Sequence, residues 1–388
     1  MATLVLLDGH SLAYRAFYAL PTDLATKAGT VTNAVFGFTS MLVKLMSEEK
    51  PEYLAVAFDA PVRTFRYDLD PEYKAGRKET PQLFASQMPL IREVLETMEV
   101  PQLCVEGVEA DDVIATLAEQ ARGRGWRTVI STGDKDLTQL VNDRVLWVNT
   151  MSGDKLDPAG VKAKFGVPPE LIVDYLALMG DAVDNVPGVD KVGPKTACKL
   201  IEQYGSLEGV IAHAGEVKGV VGENLRKVLD WLPTGRKLLT VKTDVELPFE
   251  MESLIDKGSN DAKLGELYGK FGFRTLRDAL TNKEDAPEGG ASAPLPGDKA
   301  KTDSRNFRIT VKNMHERAVQ LVVHDQIPVS QNQDIKVDIV GPTSPTKKDI
   351  DDKRGIIAFE SKLEPEEERV VEFGYRVIWP GSRSIVYR

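Results

Sequence analysis

The chain has 388 residues, 42% of them hydrophobic, and a formal net charge of −10, so it can form two or three domains with cores of their own. No apolar run reaches the ~18 residues needed to span a membrane, and the first residues show no signal peptide. Its two cysteines, Cys104 and Cys198, form no zinc spacing and no disulfide framework. These features argue against a membrane protein or a disulfide-rich secreted domain and favour the cytoplasm.

Short apolar runs alternate with helical periodicity over the first 150 residues. They predict buried strands at Thr3–Asp8, Tyr53–Asp59, Arg127–Thr132 and Val145–Asn149, and helices at Asn33–Glu48, Thr80–Met98 and Asp111–Arg122. Such alternation is typical of an α/β fold with a mostly parallel sheet flanked by helices. We therefore expect residues 1–167 to form an α/β domain.

The pattern changes twice further along the chain. From about Pro168 the strands stop, and helices at Glu170–Met179, Pro194–Tyr204 and Val221–Trp231 predict a helical subdomain over 168–282. The stretch 283–304 is rich in Pro, Gly, Ala, Asp and Lys and is predicted to be a flexible linker. Over 305–388, β-type runs at Phe307–Val311, Ala318–Val323, Ile335–Val340, Gly355–Phe359 and Val370–Ile378 predict a small antiparallel sandwich.

Nine acidic residues stand where this fold would bring them together. Three predicted strands lead into acids, and the carboxyl ends of parallel strands meet at one edge of a sheet. The nine are Asp8, Asp59, Glu109, Asp111, Asp112, Asp134, Asp136, Asp181 and Asp184. A single Asp at a strand end is commonly a turn or a cap, and helix capping alone would explain Asp112. Caps do not explain three such strand ends together.

Carboxylates in such number repel one another unless cations lie between them. Oxygen ligands without His or Cys select Mg²⁺, with Mn²⁺ as a substitute. Two such ions ~4 Å apart activate water and stabilise the leaving oxygen in phosphodiester hydrolysis. The acids therefore predict a metal-dependent phosphodiester hydrolase, in which Asp112 and Asp181 are candidates for supporting positions behind the ligands.

The acidic balance does not exclude a nucleic-acid substrate. Residues 1–280 hold 41 Asp and Glu against 32 Lys and Arg, and this excess of nine equals the number of acids in the predicted site. Basic patches elsewhere can still face phosphate, because placement decides the electrostatic footprint.

A glycine hairpin leading into a helix is predicted at Gly188–Ala197. Glycine lets a backbone approach a phosphate closely, and the N-terminus of the following helix offers free N–H groups; Pro194 suits its first position. The candidate DNA contacts here are Gly188, Lys191, Gly193, Lys195 and Thr196. An ordinary helix–helix turn would explain the same pattern.

Two further segments carry candidate contacts to a nucleic acid. In Tyr73–Lys78, the cations Lys74, Arg77 and Lys78 could hold a scissile phosphate and balance its developing charge beside Tyr73, although a solvated charge run is an equal alternative. Just after Asp8, Tyr14 and Arg15 could stack on or hold the nucleotide beside the cut. Phe17 is predicted to lie in the core.

With these motifs in place, residues 1–280 resemble the 5′–3′ exonuclease domain of bacterial DNA polymerase I and the wider flap-endonuclease family. The matching segments are Leu7–Arg15, Phe58–Asp59, Tyr73–Arg77, Gly107–Asp112, Ser131–Asp136, Leu178–Asn185 and the glycine hairpin. The resemblance implies a PIN-like 5′ nuclease fold with a helix-hairpin-helix subdomain, acting on DNA with 5′ flaps, nicks or junctions. A departure is His10, where the family more often has a small residue.

The resemblance also implies roles for the acids and cations. Asp8, Asp59, Glu109 and Asp111 would hold the first, catalytic metal with Asp112 close by, and Asp134, Asp136 and Asp184 would serve the second with Asp181 near it. Lys74 and Arg77 match the helical arch beside which a 5′ single strand passes. The glycine hairpin matches the element that binds the duplex backbone, often through K⁺.

The tail resembles a different family. Phe307–Tyr387 is similar to the C-terminal β-sandwich of a family of unknown function related to mucoidy inhibitor A proteins, through His324–Gln331, Asp334–Val337, Asp352–Gly355 and Phe373–Pro380. The chain thus joins two families, as in a fusion, and the partner of the tail is unknown.

Two alternatives remain open. One is a metal-dependent ribonuclease on the same sheet, against which the hairpin argues because it suits duplex DNA. The other is a non-catalytic fusion protein that binds DNA junctions or acts through its tail, against which the complete set of acids argues.

Overall fold

The computed structural model of the protein describes residues 2–77, 79–284, 301–329, 335–348 and 354–379. The chain divides into two compact units near residue 287. Lys78, most of the predicted linker (285–300) and the last nine residues lie outside the described residues.

The first unit is built on six strands: β1 (Thr3–Asp8), β2 (Tyr53–Ala57), β3 (Gln102–Leu103), β4 (Arg127–Ser131), β5 (Val145–Asn149) and β6 (Asp154–Leu156). They form one sheet in the order β3-β2-β1-β4-β5-β6. All neighbours run parallel except β6, which pairs antiparallel with β5. The predicted mostly parallel sheet is confirmed, with the short β3 and β6 added at its edges.

Seven helices accompany this sheet: α1 (Gly9–Ala19), α2 (Asn33–Glu49), α3 (Arg66–Leu69), α4 (Gln82–Ala85), α5 (Met88–Thr97), α6 (Ala110–Gly123) and α7 (Pro158–Phe165). Successive side chains of β1 point to opposite faces of the sheet. Leu4 and Leu6 accordingly pack in one core cluster, which includes α6. Val5 and Leu7 pack in another, which includes α1, α2 and α5. Burial on both faces explains why β1 is an unbroken apolar run.

The single helix predicted at Thr80–Met98 is divided into α4 and α5. Gln87 lies at the break and is fully buried. Its Oε1 accepts hydrogen bonds from the N–H groups of Ala34 (2.8 Å) and Val35 (3.4 Å). Gln87 therefore satisfies the otherwise unpaired N–H groups at the start of α2, which is a tertiary reason that periodicity does not reveal.

The helical subdomain has two short strands, β7 (Gly180–Asp181) and β8 (Val186–Pro187), and the helices α8 (Ile172–Met179), α9 (Pro194–Tyr204), α10 (Leu207–Ala212), α11 (Gly219–Lys227), α12 (Leu232–Leu239), α13 (Asp261–Phe271) and α14 (Arg274–Glu284). The prediction that strands stop at Pro168 is wrong for β7 and β8, which pair antiparallel. The helix predicted at Val221–Trp231 ends at Lys227.

The second unit is all-β. Its strands are β9 (Lys301–Lys312), β10 (Val319–Gln326), β11 (Lys336–Val340), β12 (Lys347–Lys348), β13 (Ile356–Leu363) and β14 (Glu368–Trp379). They form two antiparallel sheets, β10-β13-β12 and β11-β14-β9. A small core contains Ile357 and Phe359 from β13 and Val371 and Phe373 from β14. The predicted antiparallel sandwich is confirmed.

In the described part of the chain, no helix combines the length and the apolar character that a membrane crossing requires.

Candidate metal centre and nucleic-acid interface

The carboxyl ends of β1, β2 and β4 lie side by side at one edge of the sheet. Asp8 pairs in register with Ala57, and Leu7 pairs with Ser131. Asp8 caps α1: its Oδ1 accepts a hydrogen bond from the Ser11 N–H (3.1 Å), and its Oδ2 accepts one from the Thr132 hydroxyl (2.9 Å). The first strand's acid is thus fixed by groups from two neighbouring segments.

The start of α6 is attached to the same edge. Oδ1 of Asp59, just beyond β2, accepts a hydrogen bond from the Ala110 N–H (2.8 Å). Ala110 is the first residue of α6 and stands between Glu109 and Asp111. This contact brings two acids of a helix to the acids that follow the strands.

The acids Asp8, Asp59, Glu109 and Asp111, which form the first group, lie close enough for their negative charges to repel one another. Burial raises the pKa of Asp8 to about 7, with Asp59 and Asp134 adding to the rise against the hydrogen bonds from Ser11 and Thr132. Burial also raises the pKa of Asp111 well above its usual range, and the charges of Asp8, Asp134, Asp59 and Glu109 act in the same direction. A nearby cation would relieve this repulsion.

A second group of acids forms where β4 ends and β7 begins. Asp134 Oδ1 accepts a hydrogen bond from the Asp136 N–H (2.8 Å). Burial raises the pKa of Asp134 and raises that of Asp136 still further, and the charges of Asp181 and Asp184 contribute in both cases. Asp134 also raises the pKa of Asp8, so the two groups of acids interact electrostatically.

Cationic side chains engage several of these acids. Lys74 Nζ lies 2.7 Å from Glu109 Oε1 and 3.8 Å from Asp184 Oδ2, and Arg77 Nη2 lies 2.7 Å from Asp184 Oδ1. Burial would lower the pKa of Lys74, but the carboxylates of Glu109 and Asp184 outweigh it and raise that pKa. Lys135 pairs in the same way with Asp181, and burial, which would raise the pKa of Asp181, is outweighed by Lys135, which lowers it.

The donor set fits a hard divalent cation, although the arrangement is not closed around one. Within the described ranges, no three His, Cys or acidic side chains are already positioned to hold an ion. The buried Oδ1 of Asp136 has no hydrogen-bond partner among the described residues. This oxygen, the oxygen-only donors and the raised pKa values all match the chemistry of a Mg²⁺-type site.

Two of the predicted site residues, Tyr73 and Asp112, are buried. Tyr73 is only 2% exposed, and its hydroxyl lies 2.9 Å from Asp184 Oδ2 and 3.2 Å from Glu109 Oε2, so it contacts the acids from inside the protein. Asp112 is fully buried, and Arg66 donates to both of its oxygens (2.7 and 2.8 Å). Metal contact by Asp112 would require breaking these bonds.

The glycine hairpin forms as predicted, but packing, not approach to a phosphate, explains why residue 188 is a glycine. A Cβ on Gly188 would lie 2.2 Å from both the Gly180 nitrogen and the Met179 carbonyl carbon, whereas a Cβ on Gly193 would meet nothing within 4 Å. Close packing against the end of α8 therefore requires Gly188. Gly193 is the N-cap of α9 with Pro194 in the first turn.

The remaining candidate contacts are partly engaged with the protein. Tyr14 stacks on Phe84 with 3.8 Å between ring centroids, and Arg15 donates a hydrogen bond to the Gly133 carbonyl (2.7 Å). Lys191, Lys195 and Thr196 lie at the hairpin and the first turn of α9, where both lysines are exposed. Phe17 is buried in the core as predicted.

Three site residues were not anticipated. Arg66 is a buried cation in an otherwise unremarkable stretch, and Lys135 lies between two of the predicted acids. His10 Nδ1 accepts a hydrogen bond from the Asp59 N–H (3.3 Å). Only the position of His10, two residues after Asp8, offered a sequence signal.

Comparison with known proteins identifies the family. Residues 3–166 match the model described as the 5′-3′ exonuclease N-terminal resolvase-like domain, and residues 167–262 match its C-terminal SAM fold. The chain belongs to the 5′-3′ exonuclease family through these residues, which confirms the predicted nuclease class. Residues 281–381 match a domain of unknown function, DUF4139, in agreement with the separate family predicted for the tail.

Curated proteins similar to this chain include bacterial DNA polymerases I. The chain is 40% identical over 297 residues to that of Bacillus caldotenax, covering 75% of this chain and 33% of the relative. It is 42% identical over 337 residues to that of Pseudomonas aeruginosa, covering 84% and 37%. The chain thus spans about a third of the length of the relatives it matches.

Solved structures share the fold of the first unit. The bacteriophage T5 D15 flap endonuclease in complex with DNA and metal ions has a TM-score of 0.54 at 19% identity, covering 72% of this chain and 97% of that one. A complex of the catalytic core of Rad2 with DNA has a TM-score of 0.50 at 15% identity, covering 73% and 92%. These likenesses agree with the predicted fold class.

Proposed function

We propose that residues 3–262 form a structure-specific 5′ nuclease that hydrolyses phosphodiester bonds in branched or nicked DNA. The observation that carries the proposal is the meeting of acids from the ends of β1, β2 and β4 with those at the start of α6. Membership of the 5′-3′ exonuclease family supports the same conclusion.

The acids of the first group, Asp8, Asp59, Glu109 and Asp111, would hold one divalent ion. Asp134, Asp136 and Asp184 would hold the second, with Asp181 behind them. Mg²⁺ fits this oxygen set best and Mn²⁺ would substitute. When bound, the two ions would activate water and stabilise the leaving oxygen.

Lys74 and Arg77 would act on the substrate once the acids bind ions. Both cations now neutralise Glu109 and Asp184. With that charge balanced by metal, the same side chains are free to contact the scissile phosphate and its developing negative charge. The products would be a 5′-phosphate and a 3′-hydroxyl.

The hairpin and the start of α9 would bind the duplex backbone. Lys191 and Lys195 are exposed there, and the Lys195 N–H, directly after Pro194 at the start of α9, can donate to a phosphate oxygen. We extend the proposal to K⁺, which the hairpin at Gly188–Ala197 would hold and which would supply positive charge toward the DNA backbone. Tyr14 and Arg15 would hold the nucleotide beside the cut, and the cytoplasm is the expected compartment.

Cleavage of a 5′-labelled flap DNA tests the proposal. The full chain should cut near the junction with Mg²⁺ or Mn²⁺, and EDTA should abolish the reaction. A matched single-stranded RNA should be cut poorly. Asp134→Asn is the control for a contaminating nuclease, and a full chain that cuts no flap with either metal would overturn the assignment.

A further inference from the structure

Arg66 lies at the meeting point of three chain segments, and none of the predicted roles uses it. Its side chain is 2% exposed, and its partner Asp112 is fully buried. Nη1 donates to Asp112 Oδ2 (2.7 Å) and Nη2 to Oδ1 (2.8 Å), so the pair is bidentate. Such planar pairing fixes orientation as well as distance.

Asp112 passes this constraint to the start of α6. Its Oδ2 also accepts a hydrogen bond from the Glu109 N–H (3.0 Å), while Arg66 Nη1 lies 3.6 Å from Glu109 Oε2. The Asp112 side chain therefore sets the position of the turn from which Glu109 and Asp111 project. Each Asp112 oxygen accepts two hydrogen bonds, which suits a positioning residue.

The same pair holds the end of α12 and the residues that follow it. Arg66 Nε donates to the Leu238 carbonyl (2.9 Å) and Nη2 to the Thr240 carbonyl (3.2 Å). Asp112 Oδ1 accepts a hydrogen bond from the Lys242 N–H (2.8 Å). One buried ion pair thus joins the active-site helix to residues 238–242 of the helical subdomain.

That segment is connected in turn to the DNA-binding hairpin. Trp231, at the N-terminus of α12, donates from Nε1 to the Pro187 carbonyl (2.7 Å), and Pro187 is the residue before Gly188. A continuous set of contacts therefore runs from the hairpin through α12 and Arg66 to the acids at the start of α6.

We propose that Arg66 is a positioning residue that fixes the register between the duplex held by the helical subdomain and the acids of the metal centre. The inference rests on the proposed function. Loosening the pair should leave DNA bound but displace the phosphate relative to the acids, and displacements of about 1 Å can lower rates about a hundredfold.

The test compares Arg66→Lys with the wild type in steady-state cleavage of a labelled flap with Mg²⁺. Arg66→Lys keeps the charge and loses the bidentate geometry. We expect kcat to fall by about tenfold to a hundredfold with KM within about threefold, and the cut to spread over neighbouring phosphates. The spread in cut position is a readout that general destabilisation would not produce.

Arg127→Lys is the matched control. Arg127 Nη1 pairs with Glu49 Oε2 at 2.8 Å, and the Glu49 side chain is only 6% exposed. Arg127 lies at the amino end of β4, whereas the acids follow the carboxyl end of that strand. This variant should lose some thermal stability and keep the wild-type cut position and kcat. If Arg127→Lys spreads the cuts as much as Arg66→Lys, the register role is wrong.

Asp112→Asn is the second variant, in case Arg66→Lys does not fold. It should reproduce the spread in cut position with an unchanged Mg²⁺ concentration for half-maximal rate, and the double variant should be little worse than either single one. A large rise in the Mg²⁺ requirement of Asp112→Asn alone would make Asp112 a ligand and overturn the inference. An inactive wild type would instead overturn the proposed function.

Discussion

The Lys74 N–H donates a hydrogen bond to the Asp184 carbonyl (2.9 Å), so the segment carrying the proposed phosphate-binding cations is joined to the second group of acids through the backbone. The Lys74 backbone adopts a left-handed conformation with φ of 60°, which is uncommon for a residue other than glycine. The backbone contact and the two carboxylates beside its Nζ explain how this conformation is held.

Removal of this cation should damage catalysis more than binding. Lys74→Ala is expected to lower kcat by about a hundredfold to a thousandfold, because a donor aimed at developing charge acts mainly in the transition state. Arg122→Ala, which removes an exposed cation paired with Glu119 on α6, should leave kcat unchanged. Equal losses in both variants would contradict the role of Lys74.

Replacing an acid of the metal centre should stabilise the metal-free protein and lower its activity. Asp136→Asn is expected to raise the melting temperature in EDTA, because it removes a buried charge that Asp134, Asp181 and Asp184 repel. The same variant should lose activity by orders of magnitude with Mg²⁺. Thermal melting followed by circular dichroism measures the first effect, and a melting temperature that falls would contradict it.

The metal-free protein should lose stability as the pH rises. The pKa of Asp8 is about 7 in the folded chain against an ordinary value of 3.8, so the folded state binds this proton more tightly than the unfolded state. Protonated Asp8 therefore contributes to the free energy of unfolding. This contribution is complete below pH 3.8 and is lost as the pH rises through about 7, and it amounts to at most about 4 kcal/mol.

Urea unfolding in EDTA at about pH 5.5 and about pH 8 measures this loss. Asp8→Asn, which does not titrate, should show a smaller difference between the two conditions. Saturating Mg²⁺ should also reduce the difference, because a bound cation favours the ionised carboxylates. A wild-type stability that increases between these pH values would contradict the assignment.

The two hairpin glycines should respond differently to the same substitution. Gly188→Ala is expected to destabilise the protein by about 1–3 kcal/mol and to weaken binding to duplex DNA, because the new methyl group would overlap the Gly180 backbone. Gly193→Ala has open space around the new Cβ and should change stability by less than about 1 kcal/mol. Chemical denaturation and a DNA-binding titration in Ca²⁺ would distinguish the two.

The meeting of the acids at one edge could be anticipated from the sequence, because they follow apolar strands and an open parallel sheet brings strand ends to one edge. The sequence did not predict Gln87 capping α2, since that contact joins residues 53 positions apart. Arg66 was missed for the same reason: its partners at Asp112, Leu238 and Thr240 are far away in the chain. The sequence singled out Gly188 for close approach to a phosphate, whereas in the structure the backbone of Gly180 and Met179 leaves no room for a Cβ there.

The hydrogen bond from the Lys242 N–H to Asp112 has a consequence for the order in which the protein matures on the ribosome. All acids of the first group are translated by residue 111, yet the start of α6 gains its last anchor only when residue 242 has left the exit tunnel. A nascent chain that ends before this point would hold the sheet without a fully fixed cutting centre.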